Sequence, residues 1–67
     1  MTTLTTRPNI ADADGFFAEL AATHEGLPPE ASAALNARLV LLLANHIGDR
    51  QVLSEALQAA ATSARAR

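Results

Sequence analysis

Six consecutive apolar residues, 39–44, constrain the fold of this chain more than any other feature. They read LVLLLA and lie inside a longer segment, 35–49, that ends in Gly48 and Asp49. Successive residues of an α-helix are rotated by about 100°, so six neighbours cannot share one face. A helix through this segment must therefore be covered from more than one direction.

The short length of the chain limits how such a helix can be covered. A chain of 67 residues has room for one domain, and a domain of this size is marginally stable when alone. The sequence has no Cys, so disulfides cannot supplement the core. Phe16 and Phe17 are the only aromatic residues, and we expect an aliphatic core with this pair as one aromatic plug. Only two His and scattered carboxylates are present for a structural metal, so oligomerisation is the expected means of stabilisation, and the sequence predicts a homo-oligomer, most simply a homodimer.

Helix-start and helix-stop residues predict an all-α fold. Asp12 is a suitable N-cap for a first helix and Gly26 a suitable residue to end it. Pro29 fits the first position of a second helix, and Gly48 followed by Asp49 predicts a very tight turn into a third. We therefore predict a three-helix, hairpin-type bundle, completed by dimerisation, with helices at about 12–25, 29–47 and 49–62.

The remaining segments lie at either end of a single helical domain. Residues 1–8 are rich in Thr and end in Arg7-Pro8, which disfavours helix, and we interpret them as a disordered lead-in. The helical domain is predicted to span 9–62. Residues 63–67 are predicted to be a frayed tail.

The large aliphatic side chains of the second helix form the predicted self-association interface. Each Leu, Ile or Val stabilises a fold by roughly 1.5–3 kcal/mol when fully buried, so these side chains must not face water. Small residues in the same helix, such as Ala37 and Ala44, would let another helix approach closely. The alternative is a monomeric three-helix bundle with an exposed apolar patch. The predicted interface residues are Leu35, Leu39, Val40, Leu42, Leu43 and Ile47.

One polar cluster lies beside the break at Gly48. Asn45, His46 and Asp49 could form a metal or small-ligand site together with His24 from the first helix, since imidazole and carboxylate are common metal ligands. The alternative is simple helix capping, in which His46 interacts favourably with the negative, C-terminal end of the helix dipole and Asp49 caps the third helix. The spacing matches no known metal motif, so no metal or other cofactor is assigned.

Charge, length and motifs argue against several classes of function. The net charge is −2 and Lys is absent, which argues against nucleic acid as a partner. The apolar run is too short to span a membrane, and the first residues lack the pattern of a secretory signal, so the expected location is the cytoplasm. The serines lie in no nucleophile motif and no glycine-rich phosphate loop is present. We predict that the chain is not an enzyme.

The segment 35–49 also carries a resemblance to a known family. Together with Pro8-Asn9-Ile10 and the FFAEL segment 16–20, it resembles a family of very short bacterial proteins catalogued as a domain of unknown function. The resemblance covers about residues 8–58, and LLLANHIGD, residues 41–49, is its most specific part. It implies a bacterial, soluble protein without an assigned activity. It also suggests a second hypothesis, an accessory subunit of an oxidoreductase such as a flavin-dependent aromatic hydroxylase.

Overall fold

The computed structural model describes residues 3–66, and in this range the chain contains three α-helices and no β-strand. This confirms the predicted all-α, three-helix fold. None of the helices in the described range combines the length and the apolar character needed to cross a lipid bilayer. The helices are α1 (Ala13–His24), α2 (Pro29–Ile47) and α3 (Arg50–Arg65).

Helix α1 begins and ends at the residues that the sequence predicts. The Asp12 carboxylate accepts a hydrogen bond of 3.2 Å from the Gly15 N–H, and the Asp12 backbone takes the left-handed conformation, with φ 51°. A Cβ atom at Gly15 would overlap this carboxylate, which explains why a residue without a side chain occupies this position in the first turn. After the helix, Gly26 has φ 81°, and the Leu27 N–H donates back to the His24 carbonyl. Nearby residues therefore provide hydrogen-bond partners for backbone groups at both ends of α1.

Helices α2 and α3 are joined by a two-residue corner. Gly48 ends α2 with φ 74°, and its N–H donates to the Ala44 carbonyl at 2.9 Å. The Asp49 carboxylate then accepts from the Val52 N–H at 3.0 Å, which caps the start of α3. Because a side chain is disfavoured at positive φ, Gly48 allows this sharp reversal where other residues would be strained.

The two ends of the chain differ in part from the prediction. Helix α3 continues to Arg65, three residues beyond the predicted end, because Ala and Arg favour helix and an arginine complements the negative end of the helix dipole. The predicted frayed tail therefore begins inside α3. In the predicted lead-in, the Leu4 N–H donates to the Glu55 carboxylate at 2.8 Å, which places this segment beside α3. Met1, Thr2 and Arg67 lie outside the described residues.

The core of the isolated chain is very small. Val52, 8% exposed, is the one buried hydrophobic residue in the described range. The predicted aromatic plug is wrong: Phe16 and Phe17 lie against each other, with ring centroids 5.7 Å apart, and both remain exposed. The side-chain hydrogen bonds from α1 to α2 come from His24, about 10–12 Å farther along α1 than the two rings. Phe17 instead lines a surface cavity together with Ala13 and residues 5–10.

The dimensions of the chain describe an open arrangement of helices. The radius of gyration is 13.7 Å, against about 11 Å expected for a compact domain of 67 residues. The accessible surface is 5826 Å², whereas a compact monomer of 7.0 kDa exposes about 4,000 Å². The chain thus exposes about 1,800 Å² more than a compact monomer of its mass.

Candidate interaction surface

Much of this exposed surface belongs to the apolar run of α2. Val40 is 60% exposed, Leu41 69% and Leu42 70%. Leu43 and Ile47 are exposed as well. At about 100° per residue, the four consecutive side chains 40–43 point in four directions round the helix axis. Helices α1 and α3 therefore leave α2 uncovered on more than one side.

The first uncovered side is an apolar groove between α2 and α3, here called the α2–α3 groove. The two helices diverge from the Gly48-Asp49 corner, and the groove lies between them with a cavity volume of about 480 Å³. On the α3 side, Leu57 is 66% exposed. Arg50, at the corner end, is the one charged residue of the lining. The groove is lined by Val40, Leu43, Ala44, Ile47, Arg50, Leu53, Ala56, Leu57 and Ala60.

A second groove, here called the Leu42 groove, lies on the other side of α2. It also has a cavity volume of about 480 Å³. Val40 of the first groove and Leu42 of the second are two residues apart and therefore point about 160° away from each other. The Leu42 groove is lined by Leu27, Ala31, Ala34, Leu35, Arg38, Leu39 and Leu42.

The six predicted interface residues are distributed over these two grooves. Val40, Leu43 and Ile47 line the α2–α3 groove. The other three predicted residues line the Leu42 groove, where Leu42 is exposed and its neighbours Leu35 and Leu39 are half-buried. The two sets adjoin at Leu39 and Leu43, which are four residues apart and therefore neighbours on one face of the helix.

The predicted polar cluster is not assembled in the structure. His24 contacts residues of α2 that lie ten or more positions before His46, which corresponds to at least about 15 Å along the helix. Asn45 and His46 are exposed, and Asp49 caps α3. Among residues 3–66, no group of three or more His, Cys, Asp and Glu side chains is placed to hold a metal ion. The geometry supports the capping interpretation of Asp49.

His24 has a different role from the ligand-binding role considered for it in the sequence. Its Nδ1 lies 2.8 Å from the Ser32 hydroxyl and its Nε2 3.0 Å from the Asn36 side-chain oxygen. Because that amide oxygen can only accept, Nε2 carries the proton, and in the neutral ring Nδ1 accepts from the hydroxyl. His24 is half-buried and does not simply face water. It fastens the end of α1 to the first half of α2.

Ser32 and Asn36 were not singled out together from the sequence. Their spacing of four residues places them on one face of α2, which is the signal that could have identified them as a pair. The sequence does not determine where α1 packs, because the loop 25–28 can place the first helix on more than one side of α2. The contact is therefore a tertiary one that local spacing does not fix.

Comparison with known proteins assigns this chain to a family. The family model described as "Protein of unknown function (DUF2783)" matches residues 4–62, most of the chain. The chain belongs to the DUF2783 family. This match confirms the predicted membership of a domain family of unknown function, and it includes all of α1 and α2, both grooves and the His24 contact. No curated protein and no solved structure matches the chain.

Proposed function

We propose that this DUF2783 protein is a self-associating helical interaction module without catalytic activity of its own. Two copies form a homodimer by packing their α2–α3 grooves against each other. The observation that supports the proposal is the open apolar groove, in which Val40 and Leu57 are each at least 60% exposed. We extend the proposal to the bacterial cytoplasm, the location that the sequence predicts.

The amount of exposed surface supports a second copy as the occupant of the groove. Soluble monomers rarely expose large contiguous apolar patches. A standard protein interface removes about 800 Å² from each partner, and the excess of about 1,800 Å² in this chain is larger than that. Association would therefore bring the exposed area toward the value of a compact domain.

The chemistry of the groove supports an apolar, symmetric contact. Homodimer interfaces are more apolar than transient ones, and Arg50 is the one charged residue of this lining. Its guanidinium donates a hydrogen bond to the Ser54 hydroxyl on the same helix. This bond uses part of the guanidinium's hydrogen-bonding capacity without a second chain. The small side chains Ala44, Ala56 and Ala60 leave room for another helix to approach. In a two-fold contact each residue appears twice, so the same groove serves both chains.

The direct test is the solution mass of the purified full chain, measured by sedimentation at micromolar concentration. The proposal predicts an assembled species together with a helical circular dichroism spectrum. Leu57→Glu should weaken the association, because it places a charge in the groove. Gln58→Glu adds the same charge on a neighbouring exposed residue away from the lining and should leave the mass unchanged. A folded monomer in the wild type would overturn the proposal.

Two further hypotheses from the sequence have separate tests. An accessory subunit of an oxidoreductase, such as a flavin-dependent aromatic hydroxylase, would co-purify with that larger enzyme from its native host. A metal or small-ligand site at Asn45, His46 and Asp49 would be weakened by His46→Ala, measured as metal content and as melting temperature with added metal. The open groove favours self-association over the metal or ligand site, since it requires an apolar partner surface and no ligand.

A further inference from the structure

We propose that Ser32 is a nucleophilic modification site that accepts one acyl group from a neutral, activated ester. His24 is its general base, and Asn36 positions that base. The three side chains come from two helices and meet where the end of α1 contacts the first half of α2. This site is separate from the α2–α3 groove and does not depend on the proposed pairing.

The hydrogen bonds of His24 have the arrangement that activates a serine. A serine hydroxyl is a weak nucleophile unless a base lies within about 2.6–3.2 Å of it and a third group orients that base. The Ser32 hydroxyl lies 2.8 Å from His24 Nδ1, and His24 Nε2 lies 3.0 Å from the Asn36 side-chain oxygen. Because the Nε2 proton is donated to Asn36, Nδ1 presents its lone pair to the hydroxyl. The ring is thus held in the tautomer that can take the Ser32 proton.

The position of Ser32 in the fold favours the negative charge that develops on its oxygen during the reaction. Ser32 lies in the first turn of α2, a helix of 19 residues, and the N-terminal end of a helix carries a partial positive charge. Ser32 and His24 are half-buried, which partly shields the pair from water and leaves part of each residue open to a small reagent.

The charges around the pair select the class of acyl donor. Glu25 follows His24 in the chain, and Glu30 lies in the same turn of α2 as Ser32. Both side chains are exposed carboxylates, which repel an anionic donor such as an acyl phosphate. A neutral ester with a good leaving group therefore fits the site better.

The reaction is an acyl transfer at the carbonyl carbon of the ester. The Ser32 oxygen attacks this carbon while its proton passes to His24 Nδ1. The new oxygen–carbon bond forms, the bond from the carbonyl carbon to the leaving oxygen breaks, and the departing oxygen takes the proton from Nδ1. The imidazole returns to its neutral state, and the chain keeps one acyl group as a serine ester.

The composition of the chain makes such a modification easy to locate. The sequence has no Cys, Lys or Tyr, so the side chains that usually compete for an acyl donor are absent. Ser54 is a matched control serine, because its hydroxyl accepts a hydrogen bond from the Arg50 guanidinium, a group that can donate but cannot act as a base. His46 is the matched control imidazole, since it is exposed and separate from the His24 contact.

The test treats the folded full chain with p-nitrophenyl acetate. One equivalent of p-nitrophenolate should be released per chain, and peptide mass spectrometry should locate the acetyl group on Ser32. Ser32→Ala should abolish this acetylation, whereas Ser54→Ala should retain it. His24→Gln keeps a polar side chain at the contact but removes the base, and should slow the release at least about 100-fold. Circular dichroism monitors helix content in each variant.

Asn36 has a separate readout as a positioning residue. Asn36→Asp keeps an acceptor for the Nε2 proton and should react at least as fast as the wild type. Asn36→Ala removes this acceptor and should react more slowly than Asn36→Asp at equal helix content. Equal rates for these two variants would overturn the role of Asn36.

Two other results would overturn the modification site. The first is acetylation of the wild type only at the N-terminal amine or at His46, and the second is equal release from the wild type and His24→Gln. Release that continues beyond one equivalent would replace the modification site by a catalytic one and would also contradict the proposed absence of catalysis. The solution mass of the unreacted chain tests self-association independently, so an unreactive Ser32 leaves that proposal standing.

Discussion

Truncating Leu57 tests how much the α2–α3 groove contributes to the free energy of association. Replacing Leu by Ala removes roughly three methylene equivalents, which are worth about 2.4 kcal/mol when fully buried. Because Leu57 is 66% exposed in the single chain, about two-thirds of this contribution, or about 1.6 kcal/mol, remains to be gained on association. A two-fold contact contains the residue twice, so Leu57→Ala should cost about 3 kcal/mol per dimer and raise the dissociation constant about 100-fold.

The assay is sedimentation equilibrium in a Leu42→Glu background, so that only the groove contact is followed whether or not the Leu42 groove also associates. Ala is a strong helix former, so α3 should keep its helix content in the variant. Gln58→Ala, on the neighbouring exposed residue, is the matched control and should leave the dissociation constant within a few-fold of the parent. A dissociation constant that Leu57→Ala changes no more than this control would refute the assignment of the groove.

Three further changes test local features of the fold by thermal unfolding. Asp49→Ala removes the acceptor for the Val52 N–H and should lower stability by about 1 kcal/mol, whereas Asp49→Asn should retain most of the cap. Gly48→Ala forces a side chain into φ 74° and should cost about 1–2 kcal/mol. His24→Ala removes two side-chain hydrogen bonds between α1 and α2 and should cost about 1–3 kcal/mol.

Each of these changes has its own opposing result. Equal melting temperatures for Asp49→Ala and the wild type would show that the cap contributes nothing. An unchanged or higher stability for Gly48→Ala would show that the corner is not held at positive φ in solution. For His24, the paired change His24→Ala with Asn36→Ala should cost less than the two single changes added together. Full additivity would contradict the hydrogen bond between them.

The helix ends were predictable because their determinants are neighbours in the sequence. Asp12 caps α1 through Gly15, and Asp49 caps α3 through Val52, each by a contact of three residues' separation. Gly48 likewise acts on the carbonyl of Ala44, four residues earlier. Such signals do not depend on how the helices pack, so the all-α fold and the limits of α2 follow from the sequence.

The contacts between elements were not predictable in the same way. The hydrogen bond from Leu4 to Glu55 joins residues 51 positions apart, and nothing local marks either as a partner. The bonds from His24 to α2 depend on the direction in which the loop 25–28 sends the chain. The all-round apolar character of α2 indicated that it needs cover, but the division of that surface into two grooves depends on where α1 and α3 lie.

The mass of the wild-type chain in solution tests the central claim most directly. Sedimentation equilibrium at micromolar concentration, together with a helical circular dichroism spectrum, should show an assembled species of at least two chains. A helical chain that sediments as a 7.0 kDa monomer across the micromolar range would contradict the claim that a second copy covers α2.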